Sequence, residues 1–529
     1  MPQSPRHVAL LTASAVSFAV SVAMFAPFTA DDSFIVARYA LNARAAGDWA
    51  FNPGEPISAL TSPLHGLLMR LLAFLPWDPL SVYKAIALAL VVAASAICIM
   101  VYGFRRRETQ VLTALLVAPA LVLWTFAGLE TPILAALATV IASVFASEVM
   151  SRERGAVLLG ALAGLTVITR YDAALFAGPI FLHALWRTRS WNVRLAAVGI
   201  GASVPMVWFL YSWRYFGAIL PTSFYIKTPT AAVDVVSTNA QYMAEHLVIA
   251  GFGTMAAWVA LRLLAGGNPG KAIGAELQRR WGLYLALAAT LAYGATMATV
   301  HMMFAFRHFV PYFGGAAIAL SYLAREADTQ IEASGRRRFP WAEPVAVLLI
   351  LMVHTLHAEA LYHRSLQGLG SYGEYESQGT AGYARDYIPA MRRNASDVRS
   401  HWARMDKGRP PRIWTFAAGA LPYEYRDAYI FEELVSFRHD CPVRKTGERP
   451  DSRRWRAHAD YIHAFTRHGS QARLLAPVRA RGLELISEQP LHFNGRDEKL
   501  LVFYNARPRA NLLPAHIGDP CLPAAERSE

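Results

Sequence analysis

Residues 8–32 read VALLTASAVSFAVSVAMFAPFTADD. From Val8 to Phe28 there is no charged residue, and an α-helix needs about 20 apolar residues to cross a hydrocarbon core. Arg6 precedes the stretch, which places the N-terminus on the cytoplasmic side. A cleaved signal peptide needs small residues just before its cut, and Phe28 is bulky there, so the segment is expected to remain as a span. Its far end is unusual. Asp31 and Asp32 stand side by side directly after the apolar helix, where two like charges repel each other and need a reason to be adjacent.

The pattern continues outward from this span. The chain has 529 residues, 54% hydrophobic and 17% charged, against about 25% charged in a soluble domain. Down to about His357, apolar stretches alternate with short charged loops. Beyond it the sequence is polar and Arg-rich. The fold class expected is a polytopic α-helical membrane protein over 1–357 with a C-terminal soluble α/β domain over 358–529. Spans fall near 8–28, 81–104, 109–126, 131–149, 155–169, 173–186, 195–213, 244–265, 281–303, 308–324 and 341–357, about eleven transmembrane helices. The apolar piece Leu64–Pro76 is too short to span and carries His65 and Arg70. It is read as an amphipathic helix on the membrane surface, inside a first external loop over 29–80.

That choice sets the sidedness of everything after it. The clusters Arg105–Arg107, Arg152/Arg154, Arg187/Arg189/Arg194, Lys271/Arg279/Arg280 and Arg336–Arg338 then all face the cytoplasm, as short loops between spans do. The net charge of +13 is thereby assigned to orientation, and nucleic acid is not an expected partner. The odd span count leaves the C-terminal domain periplasmic. The expected location is the inner (plasma) membrane, multi-pass, with the bilayer as a partner.

The same topology gathers the unusual polar residues on the external side: Asp31-Asp32, Glu130 after Gly128-Leu129, Arg170-Tyr171-Asp172, Lys227 and Arg307. Ionisable residues at membrane ends are costly unless paired or hydrated, which makes them functional candidates; snorkelling or a structural ion pair is the plainer account of any one of them. Adjacent carboxylates suit a general base tuned by its neighbour, or a hard divalent cation (Mg, Mn or Ca) held through oxygen, with Asp32 as a ligand. External Arg and Lys suit a phosphate that must be held as it leaves. Together these groups describe a hydroxyl attacking a group carried on a lipid phosphate.

The residues also resemble a family. Asp31-Asp32-Ser33-Phe34-Ile35-Val36-Ala37-Arg38-Tyr39-Ala40-Leu41-Asn42, Gly47, Phe51-Asn52-Pro53-Gly54-Glu55-Pro56 and Thr61-Ser62-Pro63-Leu64 are similar to the first periplasmic loop of GT-C fold glycosyltransferases that use polyprenyl-phosphate sugars. The branch most resembled is that of the mycobacterial terminal β-(1→2) arabinofuranosyltransferase. Gly128-Leu129-Glu130-Thr131, Thr169-Arg170-Tyr171-Asp172, Tyr215 to Lys227 and Arg307-His308-Phe309-Val310-Pro311 resemble further family elements in order. Departures stand at Ile57–Leu60, His65, Tyr171 and Thr222, where donor or acceptor contacts are expected. The resemblance implies inverting transfer of a sugar, arabinofuranose on the branch resembled, from a polyprenyl-phosphate donor to a hydroxyl of an envelope glycan, lipid or protein. It implies Asp31 or Asp32 as base, the other as its partner or a metal ligand, and Arg170, Lys227 and Arg307 at the donor phosphate. Glu130, Asp172, Tyr225 and His308 are the implied substrate contacts. On a helix, Arg38 and Asn42 share a face with Asp31 and not with Asp32, and are expected to orient that carboxylate or to form a local ion pair.

In the tail, Trp414 to Tyr423 is an apolar run followed by a turn, Leu500-Leu501-Val502-Phe503-Tyr504 reads as a strand, and Arg453 to His468 reads as a helix or loop of mixed charge. The domain is expected either to cover the site and bind acceptor or to act as a stabilising cap. Cys441 and Cys521 could pair in an oxidising compartment, while Cys98 lies in an apolar span. The rival reading is a transporter or flippase of lipid-linked sugars. It predicts polar or broken helices at the midplane and related halves, and no convincing internal repeat is present.

Overall fold

The structure, a computed structural model, describes residues 5–506 and 508, apart from residue 56 and segments 104–107, 148–149, 223, 225–232, 297–304, 306, 336–340, 364–379, 406, 433–457, 466–482 and 494–495. The first helix, α1, runs Pro5–Phe25. The segment that follows is largely ordered by two helices, α2 (Asp31–Ala46) and α3 (Pro63–Leu72). Asp31 and Asp32 occupy the first turn of α2, where the positive end of the helix dipole favours carboxylates. Helix α3 buries His65, Met69 and Leu72 and leaves Leu67, Leu71, Phe74 and Trp77 exposed along and just beyond it. That stripe suits an amphipathic helix at a lipid interface.

The bundle continues with α4 (Pro79–Tyr102), α5 (Glu108–Leu116), α6 (Pro119–Phe126), α7 (Thr131–Ser147), α8 (Arg152–Thr169), α9 (Ala174–Arg187) and α10 (Trp191–Phe216). It closes with α11 (Val233–Ile249), α12 (Phe252–Gly266), α13 (Pro269–Thr296), α14 (Phe313–Ala333) and α15 (Ala342–His363). Helix α4 starts sharply because Asp78 accepts from Ser81 N–H and Pro79 occupies the first turn, a cap and an N-terminal proline acting together.

Two expected spans are broken. The 109–126 segment bends by 41° between α5 and α6, because Pro119 has no N–H to donate and holds Ala118 in an extended conformation. The 244–265 segment bends by 76° between α11 and α12. There Gly251 adopts φ +87°, a left-handed turn that interrupts the helical ladder. Among the described residues, four helices are long and apolar enough to cross a membrane, or up to six if each bent pair is one span. The 173–186 segment is the 14-residue helix α9, about 21 Å long at 1.5 Å per residue.

After α15 the chain forms a short π-helix at Tyr383–Tyr387, helix α16 (Ile388–Met405) and a five-stranded sheet, with a short helix α17 (Ala420–Glu424) between its first two strands. The strands are β1 (Arg412–Thr415), β2 (Tyr429–Glu432), β3 (Tyr461–Phe465), β4 (Glu484–Phe493) and β5 (Arg496–Tyr504), in spatial order β2-β1-β3-β5-β4. Strand β1 is parallel to β2 and β3, and β5 is antiparallel to β3 and β4. The mixed-charge reading of Arg453–His468 is corrected at its centre. Tyr461-Ile462-His463-Ala464-Phe465 is the middle strand, favoured by aromatic and β-branched residues. His463 is buried there, 3.0 Å from Thr415 Oγ1 and 3.3 Å from Asn394 Nδ2. Cys98 is buried in α4, whereas Cys441 and Cys521 lie outside the described residues.

Candidate active site

The polar residues scattered along the sequence converge at the end of the bundle from which α2 projects. Glu130 stands at the turn between α6 and α7, buried, and accepts from Arg170 Nη1 at 2.9 Å. Arg170 follows α8 and grips Asp172 through two parallel bonds of 3.0 and 2.8 Å, the fork geometry that guanidinium and carboxylate share. The same guanidinium lies 3.4 Å from His308 Nδ1. Arg307 stands 3.5 Å from Glu130 and 3.7 Å from Asp32, with Trp124 beneath it at 5.5 Å. Asp32, Glu130, Arg170, Asp172, Arg307 and His308 thus form one ionic cluster. Tyr225 and Lys227 lie outside the described residues.

Electrostatics inside the cluster are decided by pairing. Burial pushes the Glu130 carboxyl up, but Arg307 and Arg170 overcome it and hold the group at about 2. Tyr83 donates to the Leu129 carbonyl at 2.5 Å and so fixes the turn that presents Glu130. His65, completely buried, lies against the Tyr83 ring at 4.5 Å. A narrow cavity lined by Asp172, Thr290, Tyr293, His308 and Tyr312 adjoins the cluster.

The two adjacent acids face different surroundings. Asp32 has a side chain 55% exposed, on the side of Arg307. Asp31 is half-buried and turned toward the C-terminal segment. Its carboxylate Oδ1 accepts from Ala420 N–H at 2.9 Å, and its own N–H donates to the Tyr383 hydroxyl at 3.1 Å. Burial pushes the Asp31 carboxyl up to about 7, opposed by the Ala420 bond and assisted by the charge of Asp32.

Arg38 and Asn42 do not orient Asp31, which corrects that expectation. Arg38 is fully buried and donates to the carbonyls of Phe51 (2.8 Å), Ala428 (2.8 Å), Tyr425 (3.2 Å) and Pro422. Asn42 donates to Ala50 and Phe51. Four carbonyls outbid a carboxylate because α2 is packed between the first loop and the segment 422–428, whose carbonyls need donors. Nor do the residues fit a divalent cation at Asp32. Among the described residues no three His, Cys, Asp or Glu side chains gather as a metal site, and Asp32 faces a cation, Arg307.

Sequence reading missed Tyr383, Gly419 and Ala420, which lie more than 350 positions from Asp31 and carry no motif. A polar cleft of about 500 Å³ lies between the ends of α2, α4 and α17, lined by Arg44, Asp78, Arg399, Tyr423, Arg426 and Asp427 among others.

No family model matches the chain. The fold does match solved structures. ArnT from Cupriavidus metallidurans, crystallised bound to undecaprenyl phosphate, aligns with a TM-score of 0.55 at 15% identity, covering 96% of this chain and 99% of that one. The apo form of the same protein gives 0.57 at 16% identity with the same coverage. The chain therefore has the GT-C fold, a polytopic helical membrane architecture. In sequence, 234 residues, 41% of the chain, are 26% identical to the terminal beta-(1->2)-arabinofuranosyltransferase of Mycobacterium tuberculosis. The match spans 37% of that relative's length.

Proposed function

We propose that the chain is a membrane glycosyltransferase that moves a sugar from a polyprenyl-phosphate donor to an acceptor hydroxyl with inversion at the anomeric carbon. The observation that carries this reading is the divergence of Asp31 and Asp32. In-line displacement needs the base and the leaving phosphate on opposite sides of the sugar. Asp32 is 3.7 Å from Arg307, too close for a sugar to lie between them. Asp31 points away from the cations, toward the Ala420 segment, and its raised carboxyl range near 7 matches a general base at neutral pH. Asp31 is the base in this reading, and Asp32 balances Arg307.

The step is a single substitution. The acceptor oxygen forms a bond to the anomeric carbon while the bond from that carbon to the phosphate oxygen breaks. The hydroxyl proton passes to Asp31, and the electron pair leaves with the polyprenyl phosphate. Arg307 is the leading cation for that phosphate in this reading, since it stands between Asp32 at 3.7 Å and Glu130 at 3.5 Å. Arg170 joins it, held in place by Glu130 and Asp172, with Lys227 as a further phosphate contact and Tyr225 and His308 as sugar contacts. Such preorganised charge is usually the largest contribution to transition-state stabilisation. Arabinofuranose is the favoured sugar, supported by the mycobacterial relative, and an envelope glycan, lipid or protein is the acceptor. The undecaprenyl phosphate on the matching ArnT fold supports the donor class. The reaction is assigned to the periplasmic face of the inner membrane, with the N-terminus cytoplasmic and residues 358–529 periplasmic.

The test uses purified full-length protein in bilayer nanodiscs with polyprenyl-phosphate arabinofuranose and an arabinofuranosyl oligosaccharide. Asp31→Ala should lose transfer by about 10²–10⁴-fold, and Arg307→Gln by about 10²-fold. Transfer that survives Asp31→Ala sinks the base assignment. Movement of the lipid across vesicles without any transfer would favour a flippase. Cysteines placed near Arg106 and in the C-terminal domain should label from opposite sides, and same-side labelling would break the topology.

A further inference from the structure

The Asp31 carboxylate is held by a segment far from it in sequence. Gly419 packs so tightly on Asp31 that a Cβ built at position 419 would lie 2.2 Å from the Asp31 carbonyl oxygen and 2.3–2.4 Å from its carboxylate atoms. Only a glycine lets the backbone come that close. The next residue, Ala420, begins helix α17, and its N–H needs an acceptor that α17 cannot supply. Asp31 Oδ1 supplies it at 2.9 Å from 389 positions away. Tyr383 completes the grip by accepting from the Asp31 N–H, and its ring is kept in place against Phe28 at 5.6 Å and Tyr387 at 4.8 Å.

This contact is not a loose docking. Arg38, one helical face along α2, ties the same segment through the carbonyls of Pro422, Tyr425 and Ala428. Asn52 exchanges two bonds of 3.0 Å with Ile430, and Tyr429 donates to Glu55 at 2.7 Å. Among the described residues Arg38 has no carboxylate within salt-bridge reach. A buried guanidinium held by carbonyls and by the Phe51 ring at 4.7 Å is costly to desolvate, and its fork geometry fixes the segment in register.

We infer that Gly419, Ala420 and Tyr383 are positioning residues for the base, so that the C-terminal domain builds part of the active site and does more than cover it. The inference rests on Asp31 being the base. A residue that sets the carboxylate's place acts on the chemical step, and displacement by about 1 Å can cost on the order of 10²-fold in rate. The donor phosphate, bound by the cations on the other side of α2, should not feel it. The groups facing the Asp31 carboxylate are Asp32, Tyr383 and the Gly419–Ala420 backbone.

The experiment compares full-length wild type, Gly419→Ala, Tyr383→Phe and Asp31→Ala in nanodiscs, with polyprenyl-phosphate arabinofuranose and an arabinofuranosyl oligosaccharide. It reads kcat, donor KM, the pH of half-maximal kcat on the acid side, and thermal unfolding. Gly419→Ala should lower kcat by roughly 10²-fold with donor KM unchanged, and move the acid limb upward because the Ala420 bond that favours the carboxylate is lost. Tyr383→Phe, which removes one hydroxyl and keeps the ring, should lower kcat about 5-fold with only a small fall in the midpoint of thermal unfolding. Wild-type kcat and acid limb in both variants would overturn the inference. So would a loss in Gly419→Ala that comes with lowered thermal stability and raised donor KM while the acid limb stays in place. An active Asp31→Ala defeats the base assignment and this inference with it, whereas an inactive Asp31→Ala beside an unperturbed Gly419→Ala defeats this inference alone.

Discussion

Glu130 accepts a 2.9 Å hydrogen bond from Arg170, 40 positions further along the chain. The pair joins the α6–α7 turn to the end of α8, and Arg307 adds a second cation at 3.5 Å. Glu130 is therefore an anion that two arginines share.

Removing that anion leaves buried guanidinium charge with less compensation. Glu130→Ala is expected to destabilise the protein by about 3 kcal/mol, read as a lowered midpoint of thermal unfolding in detergent. The pH dependence has a definite sign. The carboxyl sits at about 2 in the folded protein against 4.5 as a free group, so its contribution is complete above pH 4.5 and is lost as pH falls toward 2. Glu130→Gln should flatten the acid side of the stability profile, and an unchanged profile would contradict the pairing.

Asp31 has the opposite sign. Its carboxyl is raised from 3.8 to about 7, so the stability it lends is present below pH 3.8 and is lost as pH rises through 7. Asp31→Asn should therefore unfold at a higher temperature than wild type at pH 8, while losing transfer. Wild-type activity should fall as pH drops below about 7, when the base takes up a proton. Full activity at pH 5 would contradict its role.

Arg38→Lys should loosen the C-terminal domain. An ammonium has three donors at a point and cannot span the Phe51, Pro422, Tyr425 and Ala428 carbonyls. The expected cost is about 2–4 kcal/mol, seen as faster proteolytic cleavage within residues 380–508. Wild-type protease resistance would show that the four-carbonyl clamp is dispensable.

Much of the candidate site could be read in advance because its chemistry is local. Asp31-Asp32 after an apolar helix, Glu130 at a helix junction, and Arg170 and Arg307 at helix ends each break the pattern of a membrane chain, and the structure gathers Asp32, Glu130, Arg170 and Arg307 while turning Asp31 toward the C-terminal segment. A short helix within 64–76 was legible from its length, and the structure places it at Pro63–Leu72 with His65 buried. Broken spans were less so, since Ala250-Gly251 reads as apolar and only the φ of Gly251 turns the chain. The β3 strand was hidden among charged residues whose surroundings a local pattern does not reveal.

Sequence alone determined that this is a membrane chain with adjacent acids and a set of cations at helix ends, because hydrophobic length and charge placement are properties of neighbouring residues. It could not separate Asp31 from Asp32. Consecutive residues on a helix point about 100° apart, and which direction meets a cation and which meets a backbone N–H depends on what packs against the helix. Tertiary structure decided that by placing Arg307 beside Asp32, and Gly419 and Ala420 against Asp31. A contact spanning 389 positions leaves no periodicity in the chain, so only the folded arrangement could assign the two acids to different sides of one site.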